Sequence, residues 1–206
     1  MPAVLTADVV NSTDLRPPDF RDLIAAQEAL LSGQDFEFYR GDSLQAFLPD
    51  ARAAFRLVLS IRTAARRFNQ QYGEGTIDVR CAIGIAAGSV PTDNVRTATG
   101  PAFLLSGRAF DALGEGARLT ILSGNEEANF SLGLLARFTD HLLHQLTGRQ
   151  AAVIFELLGN RSQQEVARAL GKSPATISQH VHSGAWPELE RLLRDYTTLI
   201  ERYALS

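Results

Sequence analysis

Phe36-Glu37-Phe38-Tyr39-Arg40-Gly41-Asp42-Ser43-Leu44-Gln45-Ala46-Phe47-Leu48 decides the fold. Gly41-Asp42 is an allowed two-residue hairpin turn, with alternating apolar residues on either side of it. Phe36 and Phe38 point one way before the turn, and Leu44, Ala46 and Leu48 share one face after it. Upstream, the nearly continuous apolar run over 3–10 suits a strand buried on both faces. Between them Phe20, Leu23, Ile24, Leu30 and Leu31 recur at near-helical spacing, which predicts a helix over 18–32. If that helix is a right-handed crossover, the first strand and the first hairpin strand run parallel. Asp8 and the tip residue Asp42 then emerge at the same edge of one sheet. Two carboxylates converging beside the polar loop Asn11-Ser12-Thr13 can hold a hard cation and a phosphate. The plainer reading of both acids is cap and turn duty.

Beyond the hairpin, Ala54, Leu57, Ile61, Ala65 and Phe68 mark a core-facing stripe on a helix over 51–71. Ile77, Val79, Cys81, Ile83 and Ile85 alternate as a strand; Gly84 and Gly88 permit close approach of another chain or a ligand, or equally mark a bulge or turn. A polar loop over 89–100 leads through Gly100-Pro101 into a helix over 102–113, and a short strand covers 117–122. This order predicts an α+β, ferredoxin-like sheet with helices on one face. Composition changes after Ser123-Gly124, and residues 125–146 lean helical. Four more helical patterns cover 149–158, 163–170, 175–182 and 185–204. The expected division is a sheet domain over 1–123, a connecting helix over 124–146 and an all-helical domain over 147–206. In the last helix Trp186, Leu189, Leu193, Tyr196, Ile200 and Tyr203 form a heptad seam, suited to a helix pair or to packing on its own domain.

The 206 residues, 45% hydrophobic and 21% charged, have room for one mid-sized domain plus a small one. A net charge of -3 gives no general attraction to nucleic acid or anionic membrane, so such contact must be local. The one cysteine, Cys81, excludes an internal disulfide and points to a reducing compartment. Within an apolar strand it reads as an inert core thiol. With no membrane-length apolar run and no signal-peptide pattern, the expectation is cytoplasmic, with no membrane partner. His141 and His144 share a helix face, but no Cys or further His completes a metal set.

The strongest local pattern runs from Ser162 to His180. Val166, Ala167 and Leu170 would pack a first helix, Gly171 would make the turn, and Ile177 and Val181 would anchor a second helix. This stretch resembles the helix-turn-helix of LuxR-type and sigma-factor-type DNA-binding domains. Ser173, Ala175, Thr176, Ser178 and Gln179 could then reach base edges, while Arg161, Arg168, Lys172 and His180 could meet phosphate. A small helical bundle making protein contacts is the alternative. Residues 140–206 carry seven Lys/Arg and seven Asp/Glu, so a lone copy should bind DNA weakly and a homodimer is expected.

Thr6-Ala7-Asp8-Val9-Val10-Asn11-Ser12-Thr13 with Arg40-Gly41-Asp42-Ser43 resembles the catalytic domain of class III nucleotide cyclases, and more closely SatD-like bacterial proteins. Arg80-Cys81-Ala82-Ile83-Gly84-Ile85 and the segment from Gly100 to Arg108 fit the same pattern, so the resemblance covers about residues 1–123. It implies that Asp8 and Asp42 hold Mg²⁺ or Mn²⁺. It also implies that Val9, Asn11, Ser12 and Thr13 cradle the phosphates of a nucleotide, with Arg108 nearby. Where cyclases carry a transition-state Asn, this chain has Leu104, which favours ligand binding over turnover. The expected protein is a DNA-binding transcription regulator whose first domain senses a nucleotide or another phosphorylated molecule. The alternatives are an active cyclase or nucleotidyl transferase with a DNA-binding tail, and a non-catalytic interaction adaptor.

Overall fold

The structure, a computed structural model, describes residues 1–39, 41–88, 95 and 98–204. Arg40 and most of the loop expected over 89–100 lie outside the described residues. The chain up to Ser123 forms β1 (Ala3–Val10), α1 (Pro17–Leu30), β2 (Asp35–Tyr39), β3 (Ser43–Leu48), α2 (Ala54–Arg66), the short α3 (Asn69–Tyr72), β4 (Asp78–Ile85), α4 (Pro101–Asp111) and β5 (Leu119–Ser123). The strands lie in one sheet in the order β2-β3-β1-β4-β5. Gly41, at φ 90°, supplies the backbone the hairpin needs. Across the hairpin Phe36 faces Ala46 and Phe38 faces Leu44. β3 runs antiparallel to β1, with Asp8 opposite Ser43. β2 therefore shares the direction of β1 with β3 between them, the split βαβ arrangement. β4 takes the other edge of β1 antiparallel, and β5 adds parallel to β4.

Alternation along each strand sorts the side chains. Leu5, Ala7 and Val9 join Leu44, Ala46, Cys81 and Ile83 in one core, closed by Leu23 of α1 and Phe55 and Leu59 of α2. Burial pushes the Cys81 thiol far above its ordinary range, so it packs and does not react. On the opposite face Val4 and Phe47 pack against Ala102 and Phe103 of α4. The Phe47 and Phe103 rings stack with centroids 6.1 Å apart. Helices thus cover both faces of the sheet, which corrects the expectation of helices on one face. Gly84 makes this possible: a β carbon there would sit 2.3 Å from the Ala102 carbonyl oxygen and 2.4 Å from the Ser106 nitrogen.

The remaining helices are α5 (Glu126–Gln145), α6 (Gly148–Leu158), α7 (Gln163–Leu170), α8 (Pro174–Ser183) and α9 (Trp186–Ala204). Leu132, Leu135 and Leu143 of α5, Ile154 and Leu158 of α6, and Leu189, Tyr196 and Ile200 of α9 belong to the same core as the sheet. Tyr196 stacks on Phe55 with centroids 5.0 Å apart and donates its hydroxyl to the Ala51 carbonyl at 2.8 Å. The heptad seam of α9 is therefore used within the chain. Val153, Leu157, Val166, Ala167, Ile177 and Val181 form a separate small cluster under α7 and α8.

A buried ion cluster joins these parts. The Arg62 and Arg66 side chains of α2 are 0% and 1% exposed. Arg62 closes both arms on Asp78 of β4, Nε to Oδ1 at 3.0 Å and Nη2 to Oδ2 at 2.8 Å. Its Nη1 reaches Oδ1 of Asp140 in α5 at 2.7 Å. Arg66 adds a bond to Asp78 Oδ2 at 2.8 Å and donates to the Leu146 carbonyl at 2.7 Å. Burial alone would raise the Asp78 pKa, but the Arg62 charge and hydrogen bonds, helped by Arg66, hold it below the ordinary carboxylate range. A depressed folded-state pKa stabilises the fold above the unfolded value, about 4, and that contribution is lost as pH falls through the folded value. Asp78→Asn, which leaves two buried guanidiniums short of their counter-charge, should cost roughly 3–5 kcal/mol in urea unfolding at pH 7. The difference from wild type should shrink on acidification below pH about 4. Gly84→Ala should cost about 1–3 kcal/mol in the same assay by forcing α4 off β4.

Candidate functional site

The end of β1 and the hairpin tip do meet at one rim. The Val9 N–H donates to the Asp42 carbonyl at 3.3 Å. Asn11, in the left-handed region at φ 55°, turns the chain into a short 3-10 segment, Ser12–Asp14. That turn brings Ser12 Oγ to Asp42 Oδ2, a 2.5 Å hydrogen bond. Asn11 Nδ2 donates across to the Thr76 carbonyl at 2.8 Å. Thr13 is exposed beside them. The Val9 side chain lies in the core, so the residue offers the rim only a backbone N–H, already taken by Asp42.

Asp8 is engaged differently. Arg80 stands opposite it in the β1–β4 register, and its guanidinium grips both carboxylate oxygens, Nε to Oδ1 at 2.9 Å and Nη2 to Oδ2. The hydrogen bonding from Asp8 raises the Arg80 pKa. The guanidinium also lies over the Phe110 ring of α4, 5.1 Å from its centroid. A divalent cation prefers carboxylate oxygens that are free to coordinate. Here Asp8 offers none, and the nearest positive charge is already in place. Among the described residues no group of three or more His, Cys, Asp or Glu side chains could hold a metal. The backbones of Asp8 and Asp42 thus share one rim, but their carboxylates are engaged separately, Asp8 by Arg80 and Asp42 by Ser12, so Asp8 would have to leave Arg80 before the pair could hold the expected Mg²⁺ or Mn²⁺. Arg108 and Leu104 share the exposed side of α4, Leu104 being 58% exposed, and Arg108 makes no ion pair among the described residues. The partner that sequence reasoning missed is Arg80. Its signal was an arginine alternating with the core residues Val79 and Cys81, on the strand face that also carries Asp8.

The second candidate surface is the α7–α8 pair. Ser162 Oγ accepts the Glu165 N–H and the Glu165 carboxylate accepts the Ser162 N–H at 2.8 Å, a capping box that starts α7. The backbone and hydroxyl bonds from Ser162 hold the Glu165 carboxyl below its usual range. Gly171, at φ 61°, ends α7. Ser173 starts α8 by accepting the Thr176 N–H at 3.1 Å, and its hydroxyl also bonds Thr176 Oγ1 at 2.9 Å. Ile177 and Val181 pin α8 to the small cluster. Ala175, Ser178 and Gln179 remain exposed, while Thr176 and His180 are half-buried. Arg161 is ion-paired with Glu156. Arg168 and Lys172 are exposed and in no ion pair among the described residues. Of the predicted nucleic-acid residues, Ser173, Thr176 and Arg161 therefore have structural partners; Arg168 faces outward with Nε donating to the Gln164 carbonyl at 3.4 Å, and Lys172, Ala175, Ser178 and Gln179 are exposed.

No family model matches the chain, and no curated protein matches it. Among solved structures it is similar to the guanylyl cyclase Cya2, at TM-score 0.40 and 19% identity over 58% of this chain and 73% of that one. It is also similar to a bacterial light-regulated adenylyl cyclase, at TM-score 0.42 and 14% identity over 58% of this chain and 42% of that one. A third is the adenylyl cyclase CyaB from P. aeruginosa, at TM-score 0.41 and 19% identity over 64% and 79%.

With Asp8 closed by Arg80, incubation with ATP or GTP and Mn²⁺ should yield no cyclic nucleotide by chromatography, and Mn²⁺ should leave the melting temperature unchanged. A product that disappears in Asp8→Asn would show that Arg80 vacates the carboxylate.

Proposed function

We propose that the chain binds DNA through α8, with α7 lying across the phosphate backbone, as part of a transcription regulator. The observation that carries this reading is the division of labour within α8. Ile177 and Val181 are buried in its supporting cluster, while Ala175, Ser178 and Gln179 at its start are exposed, flanked by the cations Arg168 and Lys172, which make no ion pair among the described residues. A helix set in the major groove reads bases with its first turns. Gln can bond adenine N6 and N7 bidentately, Ser bonds either partner type, and Ala meets the thymine methyl. The nearby acids do not oppose phosphate freely: Glu165 is committed to its cap and Glu156 to Arg161. Two phosphate-facing cations give modest affinity per copy, so a dimer on paired half-sites is part of the proposal. Metal-dependent turnover is not, because Asp8 is held by Arg80.

The test is fluorescence anisotropy on duplexes selected from a random pool. Affinity should fall steeply with salt. Lys172→Ala and Arg168→Ala should weaken binding on every sequence and each reduce the salt slope by about 1. Gln179→Ala should cost about 1–3 kcal/mol on the selected site and relax preference at one position. Binding indifferent to salt and to all three substitutions would remove this reading and leave the pair as a protein-contact bundle.

A further inference from the structure

One face of α5 is neither buried nor polar. Leu132, Leu135, Ala136 and Leu143 turn into the core. On the other side Phe130, Leu134 and Phe138 are 76%, 54% and 48% exposed. Single exposed apolar residues are ordinary, but these three are spaced by four residues and so form one stripe, about 12 Å long at 1.5 Å per residue. Glu127 lies exposed beyond one end, and Arg137 and His141 lie exposed toward the other. Positions 127, 130, 134, 137 and 141 step by three and four, the spacing that lets two helices pack at a shallow crossing of about 20°.

The stripe is self-complementary. About Leu134 its sequence is balanced: 130 mirrors 138, and 127 mirrors 141. We propose that two copies of the chain pair through α5, antiparallel about a two-fold axis at Leu134, so that Phe130 of each meets Phe138 of the other and the acidic start of each helix faces the basic end of its partner. The charges select this arrangement. In a parallel pair Glu127 would face Glu127 and Arg137 would face Arg137, like charges that oppose association. In the antiparallel pair Glu127 faces His141, and Arg137 lies beside the Phe130 ring of the second copy, where a cation–π contact forms. A patch used by one copy against the same patch of another is the isologous contact of a two-fold dimer.

The area sets the strength. At roughly 200 Å² per side chain, the exposed fractions of Phe130 and Phe138 amount to about 250 Å² of apolar surface per copy. With the exposed half of Leu134 the apolar area covered is roughly 350 Å² per copy, below that of a standard specific interface, so the dimer is weak and reversible, with a dissociation constant on the order of 10–100 micromolar.

The test uses the full chain and does not depend on DNA. Sedimentation from about 1 to 200 µM should show a monomer–dimer equilibrium, and Leu134→Glu, which sets two carboxylates on the axis, should weaken it at least ~10-fold. Its circular-dichroism melt should match wild type, because the position is exposed. His141→Glu should weaken the dimer, and adding Glu127→Lys to it should restore association. Cys81 is buried, so introduced cysteines report cleanly. Under mild oxidation Leu134→Cys should cross-link to itself, and Phe130→Cys should cross-link only when mixed with Phe138→Cys. A wild-type chain that stays monomeric to about 200 µM, a dimer untouched by Leu134→Glu, or self-cross-linking of Phe130→Cys would each overturn the proposal.

Discussion

The Arg62–Asp78 pair and the groups gathered around it hold the molecule's layers in register. Asp78 opens β4, Arg62 and Arg66 stand on α2, Asp140 stands on α5, and the Leu146 carbonyl leads into α6. Removing these charges from water is costly, and only their mutual pairing and full hydrogen bonding offset that cost. A planar guanidinium closes on a carboxylate in a narrow range of geometries. The cluster therefore sets the rotation of α2 against the sheet, and through Asp140 it sets where α5 crosses. Asp140 has a second duty: its other oxygen accepts the Arg118 N–H at 2.8 Å, just before β5. One carboxylate thus ties the last strand to the helix that follows it.

Much of this was legible in the residues. The hairpin about Gly41-Asp42, the split βαβ order and the bounds of α7 and α8 follow from two-residue and helical periodicities and from side chains whose cap chemistry is local. What was not legible depends on partners distant in the chain. The burial of Arg62 and Arg66 is of this kind, because nothing nearby in sequence announces Asp78 or Asp140. The side of the sheet taken by α4 is equally hidden, since alternation says that a strand has two faces but not which one the next helix covers. Gly84 reads as room for another chain or a ligand, or as a bulge or turn, and what lies against it is α4 of the same chain. The rim was half-read: Asp8 and Asp42 converge because strand directions follow from topology, but the arginine across from Asp8 depends on a register between residues 72 apart.

That arginine changes the chemistry of the rim. A lone carboxylate near a turn of backbone N–H groups invites a cation and a phosphate. A carboxylate held in a bidentate fork, with the guanidinium resting on an aromatic ring, is instead a cross-strand clasp between β1 and β4 that also braces α4 through Phe110. The same economy operates at the other end of the molecule. Ser162, Glu165 and Ser173 carry polar groups suited to binding, yet each is used to start a helix. Subtracting such structural duties from a list of polar residues is what isolates Gln179, Ser178, Arg168 and Lys172.

The two proposed surfaces are mechanically related through the shared core. α5 lies against β5 and α9, α6 lies against α2, and α8 rests on α6. Each contact is a buried, well-packed interface, and packed interiors transmit position because they deform little. A two-fold axis at Leu134 would therefore fix not only α5 against its copy but also the separation and tilt of the two α8 helices. DNA offers equivalent groove faces about 34 Å apart, and a dimer reads two of them only if its recognition helices match that repeat. On the proposed reading each copy would supply few phosphate contacts, so useful affinity would depend on both helices engaging together, and the effective concentration of the second would be set by the rigidity of the path between them. If both proposals hold, specificity would reside as much in the apolar stripe of α5 as in the side chains that touch the bases.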